Sequence, residues 1–326
     1  MKDEMMLYGV TLALRHTRQQ KQVFFDQVNE LYRRLGYQVR LQAEASRFSA
    51  VNNIVIGDLK KAKTIVAAAY DTPSKIKFFS VNYYPFAASK NVRIEVLYSL
   101  FQLLISSLAF FGLYYLLKGW ADYLLIWKIG SIVLGLIIAV FMYWLMKAGA
   151  NPVNFNRNSA ALAIIDVLAH DRKLNDVAFI LLDGCVNGYR GYKVAQPEIK
   201  ASQRVIILDA LAAGERVVVA HRPTTDVSCY LRADNLKIQD KVYESELADA
   251  NQLAFFPNGL VLASGTVKNK QFIVKNTRNK RDIELDIERL TAIADLIKED
   301  ITGSISSKNK TAENKKERRN NNDSTK

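Results

Sequence analysis

Two stretches without a charged residue occupy the middle of the chain, Val96 to Leu117 and Ile129 to Met146. At about 1.5 Å per residue, either run can cross roughly 30 Å of hydrocarbon with modest tilt or bilayer thinning. Apolar runs of this length are read first as membrane spans, and a pair of helices buried in a large soluble core is the alternative. A short connector, Lys118 to Asp122 and then Tyr123 to Lys128, joins them. Lys128 falls at the rim, where its stem can reach the headgroups. Trp120, Trp127, Tyr143 and Trp144 fall where interfacial aromatic anchors are expected. The pattern therefore predicts a transmembrane helical hairpin over 96–147, with helices at about 96–117 and 124–146.

A hairpin returns both flanking segments to the same side. Residues 1–95 and 148–302 are read as two parts of one domain that the hairpin interrupts. Lys75, Lys77, Lys90 and Arg93 precede the first run, and Lys147 and Arg157 follow the second, while the connector holds only Lys118 and Lys128 against Asp122. By the positive-inside bias the domain and both termini are expected in the cytoplasm, the chain being a multi-pass protein of the cell membrane. The start, MKDEMMLYGVTLALRH, has no signal-peptide layout. The two cysteines, Cys185 and Cys229, give no disulfide framework and suit a reducing compartment.

The net charge of +13 over 326 residues suits either nucleic acid or an anionic membrane surface. The apolar runs favour the membrane, and no zinc-ribbon spacing or aromatic RNA-binding signature argues for nucleic acid. Segment 303–326 is nearly devoid of apolar residues and is expected to be a disordered basic tail, solvated rather than bound. Without hairpin and tail, about 250 residues remain, enough for one sizeable α/β domain.

Ala13 to Leu35 has helical spacing, and Tyr37 to Gln42 suits a strand. Asn53 to Ile56 and Thr64 to Ala69 are short apolar runs in a hairpin-like pattern. Asn156 to Ala169 is predicted helical. Val177 to Leu182 and Arg204 to Asp209 are apolar enough for strands buried on both faces. Glu215 to Ala220 is placed at an edge, Val242 to Gln252 is read as a helix, Gly259 to Ala263 as a strand, and Asp282 to Asp300 as an amphipathic helix. Strands alternating with helices predict an α/β fold with a mostly parallel central sheet and helices on both faces.

The order of these pieces resembles the dizinc exopeptidase family of bacterial leucyl aminopeptidase, glutamate carboxypeptidase and the transferrin receptor ectodomain. Asn53-Ile54-Val55-Ile56 fits the family's Asn-Val-Ile, and Ala69-Tyr70-Asp71-Thr72 its His-x-Asp-Thr. Arg157-Asn158-Ser159-Ala160-Ala161 resembles its Asp-Asn-(Ala/Ser)-Ser-Gly helix start. Cys185 to Tyr192 resembles its Glu-Glu-x-Gly-x-x-Gly-Ser turn. Asp209 fits a ligand after the next strand. Asn251-Gln252-Leu253-Ala254-Phe255, with Gly259 in step, fits its late Asp-His-x-x-Phe-x-x-x-Gly.

The resemblance implies a fold without its chemistry. A dizinc site needs nitrogen and oxygen ligands and a carboxylate to take a proton from the bridging water. At the matched positions the first His is Ala69, the bridging Asp is Arg157, the general-base Glu is Cys185, the adjoining ligand Glu is Val186, and the last His is Gln252. Asp209 survives as a ligand and Asp71 as an orienting residue. No metal or other cofactor is expected. A salt bridge between Asp71 and Arg157 is the natural replacement at the pocket floor, and His16, His170 and His221 are expected at surface or capping positions. Ala69, Asp71, Arg157, Asn158, Cys185, Val186, Asp209 and Gln252 are therefore read as a degenerate pocket. The family's inactive relatives imply a scaffold or regulatory subunit with a protein partner in a membrane complex. A module binding a peptide or amino acid in the old cleft, and an active metallo-aminopeptidase with a non-standard site, are the alternatives.

Overall fold

Among the described residues nine strands form one sheet in the computed structural model, in the order β1-β2-β4-β3-β5-β8-β6-β7, with β9 on β8. The structure describes residues 1–44, 50–147, 149–171, 173–186, 188–233, 235–244 and 251–303. The expected tail beyond 303, and most of the helix expected over Val242 to Gln252, lie outside these. Val242 itself ends a strand.

The strands are β1 Val39–Glu44, β2 Val51–Ile56, β3 Thr64–Ala69, β4 Val177–Leu182, β5 Arg204–Asp209, β6 Arg216–His221, β7 Ile238–Val242, β8 Gly259–Lys268 and β9 Gln271–Ile273. The central four, β4-β3-β5-β8, are parallel. On one flank β2 runs antiparallel to β4 and pairs with β1; on the other β6 runs antiparallel to β8. The sheet is thus mixed, not mostly parallel. Antiparallel neighbours need only a short connection, so the flanking strands reverse direction without a crossover helix. Two local expectations fail for related reasons. β2 and β3 are not a hairpin, because β4 lies between them; the hairpin is β1 with β2. β6 is not an edge strand, because β7 covers its free side. An apolar strand reports its burial, not its neighbours.

The helices are α1 Lys2–Met6, α2 Arg18–Arg34, α3 Ala88–Lys118, α4 Leu125–Met146, α5 Ala160–Ala169, α6 Arg190–Ala195, α7 Ser228–Leu231 and α8 over 287–303. α2 begins later than expected because Thr17 caps it. Its hydroxyl accepts from Gln20 N, and the Gln20 side chain accepts from the Thr17 N–H. One sheet face, with Ile54, Val66, Phe179, Ile206 and Leu262, packs against α1, α2, α5 and α8. The other, with Val55, Ala67, Ile180 and Ile207, is covered by α6 and the Leu253–Phe256 stretch.

α3 starts eight residues before the apolar run, and α4 follows it after a single turn at Trp120–Asp122. The Gln102 amide donates to Leu145 O at 3.0 Å, joining the domain-side ends of the pair. Only 6% of each helix's apolar window is buried, which a core helix of a soluble protein would not show. Both helices are long and apolar enough to cross a membrane.

Candidate functional site

The ends of β3, β4 and β5 point at one small cavity. Ala69 closes β3 and Asp209 closes β5. Cys185 and Val186 follow β4 in the turn toward α6. That turn depends on Gly191, where an added Cβ would lie 2.3 Å from Asp183 O, an approach only glycine permits. Buried Asn53 holds the turn from β2: its Oδ1 accepts from Asp183 N at 2.9 Å, and its Nδ2 donates to Gly191 O at 2.9 Å.

Arg157 and Asn158 sit in a five-residue π turn, Phe155–Ser159, that leads into α5. Such single π turns are frequent at functional sites, and here Asn156 through Ser159 are all buried. Ala210, just after Asp209, is held at φ 53°, a left-handed conformation that costs energy for a residue with a Cβ. Its N–H donates to Arg157 O at 3.1 Å, and its carbonyl accepts from Ser264 N at 2.9 Å, fixing the carboxylate's root.

Six of the eight expected residues line this cavity: Ala69, Arg157, Cys185, Val186, Asp209 and Gln252. Asp71 and Asn158 lie just behind it. Asp71 Oδ2 accepts from the N–H groups of Cys185 (3.0 Å) and Val186 (3.1 Å), and the Asn158 amide donates to Asp71 O. The expected salt bridge does not form. Asp71 is engaged by these main-chain donors, while the Arg157 guanidinium donates to Val186 O at 2.9 Å and its carbon lies 3.7 Å from the centre of the Tyr83 ring.

Tyr83 was not legible as a site residue. Its hydroxyl donates to Asp209 Oδ2 at 2.5 Å, and its backbone exchanges hydrogen bonds with Val274 at 2.8 and 2.9 Å. Pro85 O accepts from the Gln252 amide at 3.0 Å. Ala88 and Asn91, on the first turn of α3, complete the wall. The segment joining β3 to the long apolar helix therefore fills the cavity. The space left to the centre of a water-sized sphere is about 20 Å³, room for about one water. The one available signal was the cluster Tyr83-Tyr84-Pro85-Phe86 before the apolar run.

Burial dominates the electrostatics. It pushes the Asp209 carboxyl up to about 6, against the opposing pull of Arg157 and the Tyr83 hydroxyl. Burial, then Asp183, raises Asp71. Burial, then Asp71, raises the Cys185 thiol well above its usual value, which makes it a poor nucleophile. Among the described residues no three His, Cys, Asp or Glu side chains cluster as metal ligands would. His16 and His170 contact backbone carbonyls near helix ends. His221, expected near the surface, is buried at the end of β6, with Nε2 2.9 Å from Asp240 Oδ1.

The fold is similar to that of Porphyromonas gingivalis glutaminyl cyclase, with a TM-score of 0.53 and 10% identity over 93% of this chain and 95% of that one. It is also similar to a glutaminyl cyclase from Macrostomum lignano, with TM-score 0.50 and 10% identity over 91% and 87%. The Legionella pneumophila LapA aminopeptidase aligns at TM-score 0.48 and 10% identity, over 91% of this chain and 67% of that one. No protein-family model and no curated protein matches the sequence. At this identity the likeness establishes the fold alone, a mixed α/β sheet with helices like that of the two glutaminyl cyclases.

Proposed function

We propose that the chain is a membrane-anchored pseudo-exopeptidase, a degenerate relative of the dizinc family that serves as scaffold or regulatory subunit of a membrane protein complex. The observation that carries this is the stacking of Arg157 on Tyr83 beside Asp209. A zinc pair would need three or more ligands around an open position. The residues at this cavity offer one carboxylate, already bound to a phenol and facing a guanidinium, so they do not fit that group. Val186, Ala69 and Gln252 add no imidazole or carboxylate, and Cys185 is no carboxylate base.

The second role, holding a peptide or amino acid, would require Tyr83 to leave. The cavity is otherwise too small, and Tyr83 is tied to Val274 on both sides of its peptide unit. A scaffold role needs no such opening. It also suits a cavity wall that is the first turn of a helix read as a span, because a partner gripping the hairpin would reach the domain directly. By the distribution of Lys and Arg, the domain and both termini face the cytoplasm.

The test is purification of the full chain from membranes without chelator, with zinc measured per chain and turnover assayed on aminoacyl substrates and N-terminal glutaminyl peptides. The expected result is no stoichiometric zinc, no turnover, and a co-purifying membrane protein at fixed ratio. One or two zinc ions per chain, with turnover abolished by Asp209→Ala, would overturn the proposal in favour of an active metallo-aminopeptidase.

A further inference from the structure

The loop that brings in Tyr83 has a second feature, at its other end. Lys75 to Phe79 run beneath the domain-side ends of α3 and α4. The loop is stitched in place: Lys75 N donates to Gly149 O at 2.9 Å, Ile76 N to Arg278 O at 3.1 Å, and Asn151 N to Pro73 O at 3.0 Å. The Phe78 ring meets Phe101 of α3 and Trp144 of α4 edge-on, at 6.1 and 5.7 Å between centroids. Phe79 meets Tyr98 and Phe101 at 5.7 and 5.4 Å. Despite these contacts Phe78 remains 59% exposed and Phe79 44%. Phe78 is also held at φ 76°, which is costly for an aromatic residue. A strained backbone that presents two rings outward, level with the inner ends of two apolar helices, suits the boundary between headgroups and acyl chains.

The charge beside these rings is unbalanced. The Lys77 ammonium lies 4.4 Å from the centre of the Trp144 ring. It donates to the end carbonyls of α4: Trp144 O, Leu145 O at 3.4 Å and Lys147 O at 3.3 Å. Burial, then the charges of Lys75 and Lys147, push it down, so both of those ammonium groups lie near enough to act on that of Lys77. Among the described residues none of the three pairs with a carboxylate. Glu95, at this end of α3, is already bound by Arg278, which also donates to Ser74 O at 2.7 Å. Like charges gathered without a counter-charge create a strong local field for an anion.

We propose that Lys75, Lys77 and Lys147, with Phe78, Phe79 and Trp144 beside them, form a site for the phosphate headgroup of an anionic phospholipid in the leaflet next to the domain. This rests on reading α3 and α4 as membrane spans. A lipid fits better than free phosphate because the exposed rings next to the lysines match acyl chains, which inorganic phosphate lacks. Lys77, already capping α4, sets the geometry. Lys75 and Lys147 supply the free charge.

The test uses the full chain purified in mild detergent and examined by native mass spectrometry with phosphatidylglycerol and phosphatidylcholine of identical acyl chains. Wild type is expected to retain phosphatidylglycerol preferentially. Lys75→Gln with Lys147→Gln should reduce that preference about twenty-five-fold, at roughly fivefold per lysine, while leaving Lys77 and its cap intact. Lys118→Gln with Lys128→Gln, at the opposite end of the hairpin, should leave it unchanged. Equal retention of the two lipids by wild type, an unchanged preference in the Lys75/Lys147 variant, or displacement of the lipid by millimolar inorganic phosphate would each overturn the proposal. Retention of wild type in membranes through an alkaline wash separates the two levels. Release would overturn the membrane reading and the lipid site with it. Retention with no lipid preference would overturn the lipid site alone.

Discussion

Two of the protein's buried arginines, Arg15 and Arg157, meet around the π turn, where Arg157 lies two residues from Arg15's partner Ser159, and they are treated in opposite ways. Arg15 has no exposed surface. Its guanidinium donates to Tyr70 O at 2.6 Å, Tyr8 O at 2.9 Å, Leu12 O, and Ser159 Oγ at 3.2 Å, with its carbon 5.3 Å from the Phe24 ring centre. Burial pushes it down to about 10, so it stays charged at neutral pH. Arg157 is 4% exposed but among the described residues has one hydrogen-bond acceptor, Val186 O, together with a ring and a nearby carboxylate. Arg15 is a staple: it ties the N-terminal segment, the end of β3 and the π turn into one unit by donating to carbonyls from each side of the junction, with Ser159 Oγ also donating to Tyr8 O at 2.9 Å. Arg157 lines the small cavity at the strand ends, where it stacks on Tyr83 and faces Asp209 rather than stapling segments together.

If that contrast is right, Arg15→Ala is the most damaging single change. It takes the guanidinium donors away from Tyr70 O, Leu12 O and Tyr8 O, the last of which keeps Ser159 Oγ, and should cost roughly 3 to 5 kcal/mol, read from chemical unfolding of the full chain in detergent. Arg157→Ala removes one hydrogen bond and a stacking contact while opening a cavity. It should cost no more than about 2 kcal/mol, and an equal loss in the two variants would erase the distinction.

The smallest effect concerns pH. The folded Asp209 carboxyl titrates at about 6 against an ordinary 3.8. A raised value means that Asp209's contribution to stability is complete at low pH and is lost as pH rises through about 6. Wild type should therefore melt at lower temperature at pH 7.5 than at pH 5, and Asp209→Asn should remove about 1 kcal/mol of that difference. Asp282, raised to about 7, and Asp166, raised to about 6, keep the rest of the slope. An unaltered slope in the variant would mean that Asp209 is not held as described.

The Arg157 half of this contrast was partly legible in the sequence. The apolar strands Val177–Leu182 and Arg204–Asp209 were readable to the residue, since a continuous apolar run bounded by polar residues has few other uses. The matched motifs brought six residues from five separate segments to one cavity. The Arg15 half was invisible: an arginine in an amphipathic stretch gives no sign that it will be wholly enclosed by main-chain carbonyls. Tyr83 was equally hidden, because its role depends on where Val274 and Asp209 arrive from more than a hundred residues away.

By itself the sequence determined what local pattern can encode. It set two long apolar helices, a set of buried strands, and side chains at positions 69, 157, 185, 186 and 252 that carry no imidazole or carboxylate, because side-chain chemistry and periodicity belong to each segment alone. Tertiary structure alone decided which strands are neighbours, that Arg15 rather than Arg157 is surrounded by main-chain acceptors, and that a tyrosine from the loop before α3 closes the cavity. Those outcomes are set by long-range packing and by the requirement that each buried donor and acceptor find a partner, which no local window contains.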